Sequence, residues 1–145
     1  MLLSQLAIGA ILLCITVVIH AVVLDRLLNV FEKGSNRVRL MFGKSWKIPV
    51  LVIAVLGVFT AHVVQIWLWA MFYLYIEVLP DLESALYFST TTFTTVGYGD
   101  VFLDKDWRLL SSVQSANGFI MFGWSTAFIF EIMSKLYKGE NNAQG

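Results

Sequence analysis

Residues 77–100 read Glu77-Val78-Leu79-Pro80-Asp81-Leu82-Glu83-Ser84-Ala85-Leu86-Tyr87-Phe88-Ser89-Thr90-Thr91-Thr92-Phe93-Thr94-Thr95-Val96-Gly97-Tyr98-Gly99-Asp100. The segment is too long for a tight connection, and too short and polar to cross a membrane unaided. Pro80 followed by Asp81 marks a helix start. The Asp81 carboxylate can accept an orphan N–H, and Glu83 sits at the positive end of the helix dipole. The spacing predicts a helix over 82–94. It cannot continue through Gly97 and Gly99, which alternate with bulky residues. Glycine accepts φ > 0, so glycine at every second position lets successive carbonyls fall on one side of the chain. Stacked carbonyls are weak oxygen dipoles that can replace the water shell of a cation, whereas a carboxylate would trap it. Such irregular backbone is tolerated at membrane depth only where protein buries it or where it lines a watery cavity.

The flanks supply the membrane. Of the 145 residues, 58% are hydrophobic and 14% charged, and the mean hydropathy of +0.74 is far from that of a soluble domain. Ten basic residues balance ten acidic ones, which gives no bulk basic excess for nucleic acid. The single cysteine, Cys14, excludes a disulfide framework within the chain and a thiolate metal site, and is expected to be an apolar packing residue. Three stretches are long enough to span about 30 Å of hydrocarbon. They run from Leu2 to Leu24, over 48–76, and over 107–136, where Glu131 and Lys135 fall only in the last turns. The last of these exceeds a straight crossing and should tilt or project. No basic residue precedes Leu2 and no small-residue cleavage site follows, so the first stretch is expected to be a retained helix rather than a signal peptide.

Zero net charge conceals an asymmetry. Arg26, Lys33, Arg37, Arg39, Lys44 and Lys47 crowd the first connection against Asp25 and Glu32. Glu77, Asp81, Glu83, Asp100, Asp104 and Asp106 crowd the second against Lys105. Basic short loops mark the cytoplasmic side, which places the 25–47 loop and the C-terminus inside, with the N-terminus and the 77–106 segment outside. Trp67, Trp69, Tyr73, Tyr75 and Trp107 fit an outer interfacial belt, and Trp46 an inner one; packing is the alternative for each. Leu24, Leu27, Leu28 and Phe31 form an amphipathic stripe beside the basic residues, expected to break at Gly34-Ser35-Asn36. That piece could lie along the headgroups or, preferably, extend the first helix.

Thr94-Thr95-Val96-Gly97-Tyr98-Gly99-Asp100 resembles the filter signature of the potassium-channel pore-domain family. The match is contiguous and falls between two crossings, and the resemblance covers roughly 48–136, about 60% of the chain. It implies an all-α membrane protein with three transmembrane helices, a re-entrant pore helix and a filter loop between the second and third, assembled as a homotetramer. The implied parts are an N-terminal helix and basic loop (1–47), a pore domain (48–138) and a polar tail (139–145). Within the pore domain lie an outer helix (48–76), a pore helix (82–94), a filter (95–100) and an inner helix (107–136). By resemblance, the carbonyls of Thr95, Val96, Gly97 and Tyr98, with the Thr95 hydroxyl, coordinate potassium; Thr94, Gly99 and Asp100 support the filter. Tyr98 is implied to turn its side chain from the ion path and onto the pore helix. Two positions depart from the family pattern. Thr91 stands where some members carry a pore-helix acid, and Tyr87-Phe88 where a tryptophan pair is common. Asp100 therefore needs another partner, such as Tyr87, Trp107 or water.

In the last crossing, Ser111, Ser112, Gln114, Ser115 and Asn117 are costly against lipid and should face the bundle interior. Gly118 resembles the inner-helix hinge of the family, with close packing the equal alternative; Gly123 reads as packing. Phe119, Phe122 and Thr126 are expected to line the cavity, with Ile129 or Phe130 and Met133 nearer the inner mouth. Glu131 is expected to pair with Lys135 at i+4. His20 and His62 lie in apolar runs and read as neutral, hydrogen-bonded residues between helices rather than pH sensors. No nucleophile or carboxylate pair suggests an enzyme, and no arginine series suggests a voltage sensor. The function expected is passive potassium conduction across the cell membrane, with filter-bound potassium ions, no other cofactor, lipids as partners and room for a gating partner. The rivals are a potassium transporter subunit and a non-conducting scaffold.

Overall fold

The computed structural model describes residues 2–141, apart from the side chains at 35–37, 44 and 138–141. Four helices follow in order: α1 (Leu2–Phe42), α2 (Lys47–Tyr75), α3 (Leu82–Phe93) and α4 (Arg108–Asn141), with a 3-10 turn at Gly43–Ser45 between the first two. Three are long and apolar enough to cross a membrane, over Leu2–Gly34, Lys47–Tyr75 and Arg108–Tyr137. The protein is therefore an all-helical, multi-pass membrane protein in which the short α3 stands between the second and third spans. The helical backbone of α4 continues through part of the expected polar tail, and residues 142–145 of that tail lie outside the described residues.

The expected break at Gly34-Ser35-Asn36 is absent: α1 runs unbroken to Phe42. A glycine inside a helix costs about 1 kcal/mol relative to alanine and does not end it. Packing decides the matter, because Leu24, Leu27, Leu28, Phe31 and Val38 of α1 join Val50 and Val58 of α2 and Phe128, Ile132 and Leu136 of α4 in one cluster. The amphipathic stripe is thus an extension of the first span, covered by protein along its apolar side. Lys47 Nζ sits 4.1 Å from the Tyr137 ring centroid and joins the start of α2 to the last turns of α4.

A second cluster fills the opposite half, where Trp69 and Tyr73 of α2 meet Ala85, Phe88 and Phe93 of α3 and Leu110 and Met121 of α4. Trp69 and Tyr73 are fully buried there, which removes them from the expected interfacial belt. They lie four residues apart on the face that α2 turns to α3 and α4, whereas Trp67 and Tyr75 lie on its exposed sides. Cys14 is also corrected: it is exposed on α1 and packs against no core.

Between the two clusters lies a buried polar layer. Thr16 Oγ1 of α1 is 3.1 Å from the Asn117 side-chain amide of α4. Ser125 Oγ stands 3.1 Å from His20 Nε2 and 3.0 Å from His62 Nε2, while donating to Met121 O at 2.8 Å. Gln65 Nε2 lies 3.1 Å from His20 Nδ1. These contacts fit two neutral imidazoles, each with its proton on Nε2: one hydroxyl accepts both N–H bonds and still donates its own hydrogen. The stacked rings, 5.3 Å between centroids, join α1, α2 and α4 as buried polar groups between membrane helices must be joined.

Candidate functional site

α3 begins as its sequence dictates. Asp81 accepts from the Ser84 backbone N–H at 2.8 Å and from the Ser84 hydroxyl at 3.0 Å. These bonds, the backbone one first, hold its carboxyl below the usual carboxylate value. The middle of α3 is tied to both flanking spans by a polar chain. Tyr73 Oη donates to Gln114 Oε1 at 2.8 Å, Gln114 Nε2 donates to Ser89 Oγ at 2.8 Å, and Ser89 Oγ donates to Ile66 O at 2.7 Å. The expected inward-facing polar residues of α4 serve here: Gln114 and Asn117 are buried and Ser115 half-buried, although Ser112 is exposed.

The C-terminus of α3 is where helix gives way to the irregular loop over 95–100. Its last carbonyls are met in turn: Thr90 O by the Thr94 N–H, Thr91 O by the Gly97 N–H and Thr92 O by the Thr95 N–H, each at 3.0 Å. Ser115 Oγ of α4 adds a bond to Thr92 O at 3.1 Å. The 3.0 Å bond from Thr95 N–H to Thr92 O puts Thr95 in the left-handed position past the helix end that glycine usually takes. Its φ is +61°, followed by +52° at Gly97 and +76° at Gly99, while Val96 and Tyr98 between them lack positive φ. Every second residue from 95 to 99 is therefore left-handed. The glycines signalled two of these positions; the third falls on a β-branched residue, for which this region is strained, and no sequence rule foretold it.

Asp100 finds the first of its expected partners. Tyr87 Oη donates to Asp100 Oδ2 at 2.7 Å across the outer end of the loop, and this bond to a carboxylate holds the phenol above the usual tyrosine value. Thr91, at the position of the family's acid, instead turns its hydroxyl to Phe88 O at 3.1 Å. Thr94 Oγ1 donates to Thr90 O at 2.8 Å. Residues 95–100 are all exposed in the single chain. Tyr98 is 73% exposed, so its side chain does not lie on the pore helix of its own chain as the resemblance implied.

On α4 the expectations divide. A Cβ at Gly118 would stand 1.9 Å from the carbonyl oxygen of Phe93, so this glycine allows the inner helix to touch the end of α3, and α4 is unbroken there. The packing alternative accounts for Gly118 in this structure. At Gly123 the reverse holds, since nothing lies within 4 Å of a would-be Cβ. Phe119 and Thr126 share an exposed face. Phe122 does not join them: its ring packs 4.7 Å from His62 and 5.6 Å from Phe93. Three residues of helix leave it about 60° around the axis from Phe119, enough to turn it into the chain. Glu131 pairs with Lys135 at 3.0 Å as expected. Among the described residues no group of three His, Cys, Asp or Glu gathers to hold a metal ion.

Comparison with known proteins rests on one match. The family described as "Ion channel" matches residues 59–135, from the middle of α2 through α3 and the glycine loop after it to near the end of the α4 span. The chain belongs to this ion-channel family. No curated protein and no solved structure matches it. The matched stretch of the channel contains the polar chain through Ser89, the left-handed alternation and the Gly118 contact; α1 lies outside it.

Proposed function

We propose that the channel is potassium-selective and passive, and that four copies surround one pore. The observation that carries this reading is the alternation of left-handed backbone at Thr95, Gly97 and Gly99, directly after a helix C-terminus. Alternation of this kind turns successive carbonyls to one side. In this reading the carbonyls of Thr95, Val96, Gly97 and Tyr98, with the Thr95 hydroxyl, replace the hydration shell of potassium. Thr94, Gly99 and Asp100 hold the loop, and the partial negative end of α3 faces the waiting cation. Phe119 and Thr126 line the cavity below. One filter strand is one wall of a pore, and closed rotational symmetry supplies equivalent walls. Exposed Val96, Tyr98, Phe119 and Phe130 are the apolar surface that neighbouring copies would cover.

The basic 25–47 connection supports a cytoplasmic C-terminus and an extracellular filter mouth in a cell membrane, ringed by acidic side chains that attract cations. A transporter subunit of the related kind usually retains only the first of the two loop glycines, whereas Gly97 and Gly99 are both present, and a scaffold would need no strained loop. Potassium flux in liposomes decides among them. The expected result is barium-blocked potassium flux with no sodium flux. A folded oligomer that passes no ion favours the scaffold, and sodium-coupled potassium uptake favours the transporter.

A further inference from the structure

The end of α1 beyond the polar layer, together with α2 and α4, borders a narrow, open apolar cleft whose walls include Leu27, Val30, Phe31, Val50, Ile53 and Ile132. Val30 and Ile53 are 56% and 47% exposed, so the cleft opens to the surroundings. At Val30 and Gly34 it meets a second groove, whose other walls are Arg26, Asn29 and Lys33. These positions recur three and four residues apart and share one face of α1. An apolar slot thus adjoins a basic shelf one turn away. Neither Arg26 nor Lys33 pairs with a carboxylate among the described residues. Asp25 lines a different groove of α1 with Glu131, and its carboxylate accepts from Asn29 of the shelf at 3.2 Å rather than from either cation; Glu32 lines neither wall.

We propose that this joined groove is a site for an anionic phospholipid, with an acyl chain in the apolar slot and the phosphate between Arg26 and Lys33. The slot alone would accept any lipid tail; the two uncompensated cations select an anionic headgroup, as juxtamembrane basic residues do at a negatively charged leaflet. A guanidinium takes phosphate oxygens in a planar, two-pronged geometry, and an ammonium adds a mobile point charge beside it. Gly34 sits where slot and shelf join, with nothing within 4 Å of a would-be Cβ. The space above it belongs to the ligand. The inference rests on the proposed topology in that this end of α1 must reach a headgroup layer, but it does not depend on conduction.

The test is native mass spectrometry of the full chain released from nanodiscs of phosphatidylcholine and phosphatidylglycerol mixed seven to three. The expected result is selective retention of phosphatidylglycerol. Joint substitution Arg26→Gln and Lys33→Gln should weaken that retention about tenfold or more. Gly34→Leu should abolish it by filling the slot while leaving helix content intact, since leucine favours helix over glycine. Equal retention of both lipids, or retention unchanged in both variants, overturns the proposal. So does a disulfide between copies at Val30→Cys in a Cys14→Ser background, which would put a second chain over the cleft. Potassium flux of the same preparations is read separately. Lipid selectivity without flux defeats the channel reading alone, and flux without lipid selectivity defeats this inference alone.

Discussion

At Thr95 the backbone does what the side chain disfavours: a β-branched residue sits at φ +61°. The strain persists because the N–H groups of Thr95 and Gly97 are bound to α3 carbonyls, and such strain concentrates at functional sites. Gly97 at +52° would be strained by any side chain, a second strained position beside Thr95 in the same loop. The Gly97→Ala substitution is expected to abolish potassium conduction, and a robust selective current from that mutant would sink the filter assignment. Gly118→Ala forces a methyl against the Phe93 carbonyl and should cost about 3 kcal/mol, measured by thermal unfolding in detergent. Tyr87 makes a pH-dependent tether. Its bond to Asp100 raises the phenol's value above the ordinary 10.0, so the contribution is complete below that value and is lost as pH rises through the raised one. Absorbance titration should show one fewer late-ionising tyrosine in Tyr87→Phe than in the parent chain, with the buried Tyr73 unaffected. The TVGYGD run and the candidate partners of Asp100 were legible in the sequence. The left-handed Thr95 and the inward Phe122 were not, because both depend on what α3 and α2 place beside them.

Among the elements, α3 was the most legible, since a proline, a capping acid and two glycines bracket it on local chemistry alone. Its cap has a pH signature too. The bonds from Ser84 lower the Asp81 carboxyl from the ordinary 3.8; its contribution is present above that value and is lost as pH falls through the lowered one. Asp81→Asn should flatten the acid limb of a melting-temperature profile while keeping most of the cap, and Asp81→Ala should lose the cap at every pH. The end of α1 was less legible. Gly34-Ser35-Asn36 has the composition of a break, yet tertiary packing against α2 and α4 overrides it. The polar layer required partners that sequence could not pair, since His20, His62 and Ser125 come from three separate helices. Ser125→Ala should leave two imidazole N–H groups buried without an acceptor and lower stability by about 1–3 kcal/mol, again by thermal unfolding.

For the whole molecule, the charge asymmetry, the three spans and the loop between them could all be read along the chain, because lipid allows few architectures. Assembly could not, and it enters only through the family resemblance: a single chain leaves the 95–100 loop, Tyr98 included, uncovered. The expected assembly is four chains, measured by mass in detergent or by crosslinking. The contact at Gly118 also has a mechanical meaning. Above it, Gln114 and Ser115 bind α4 to α3; below it, Ser125 binds α4 to α1 and α2. The Phe93 carbonyl under Gly118 lies two residues from the strained Thr95, so any displacement of α4 at this point would bear directly on the base of the 95–100 loop.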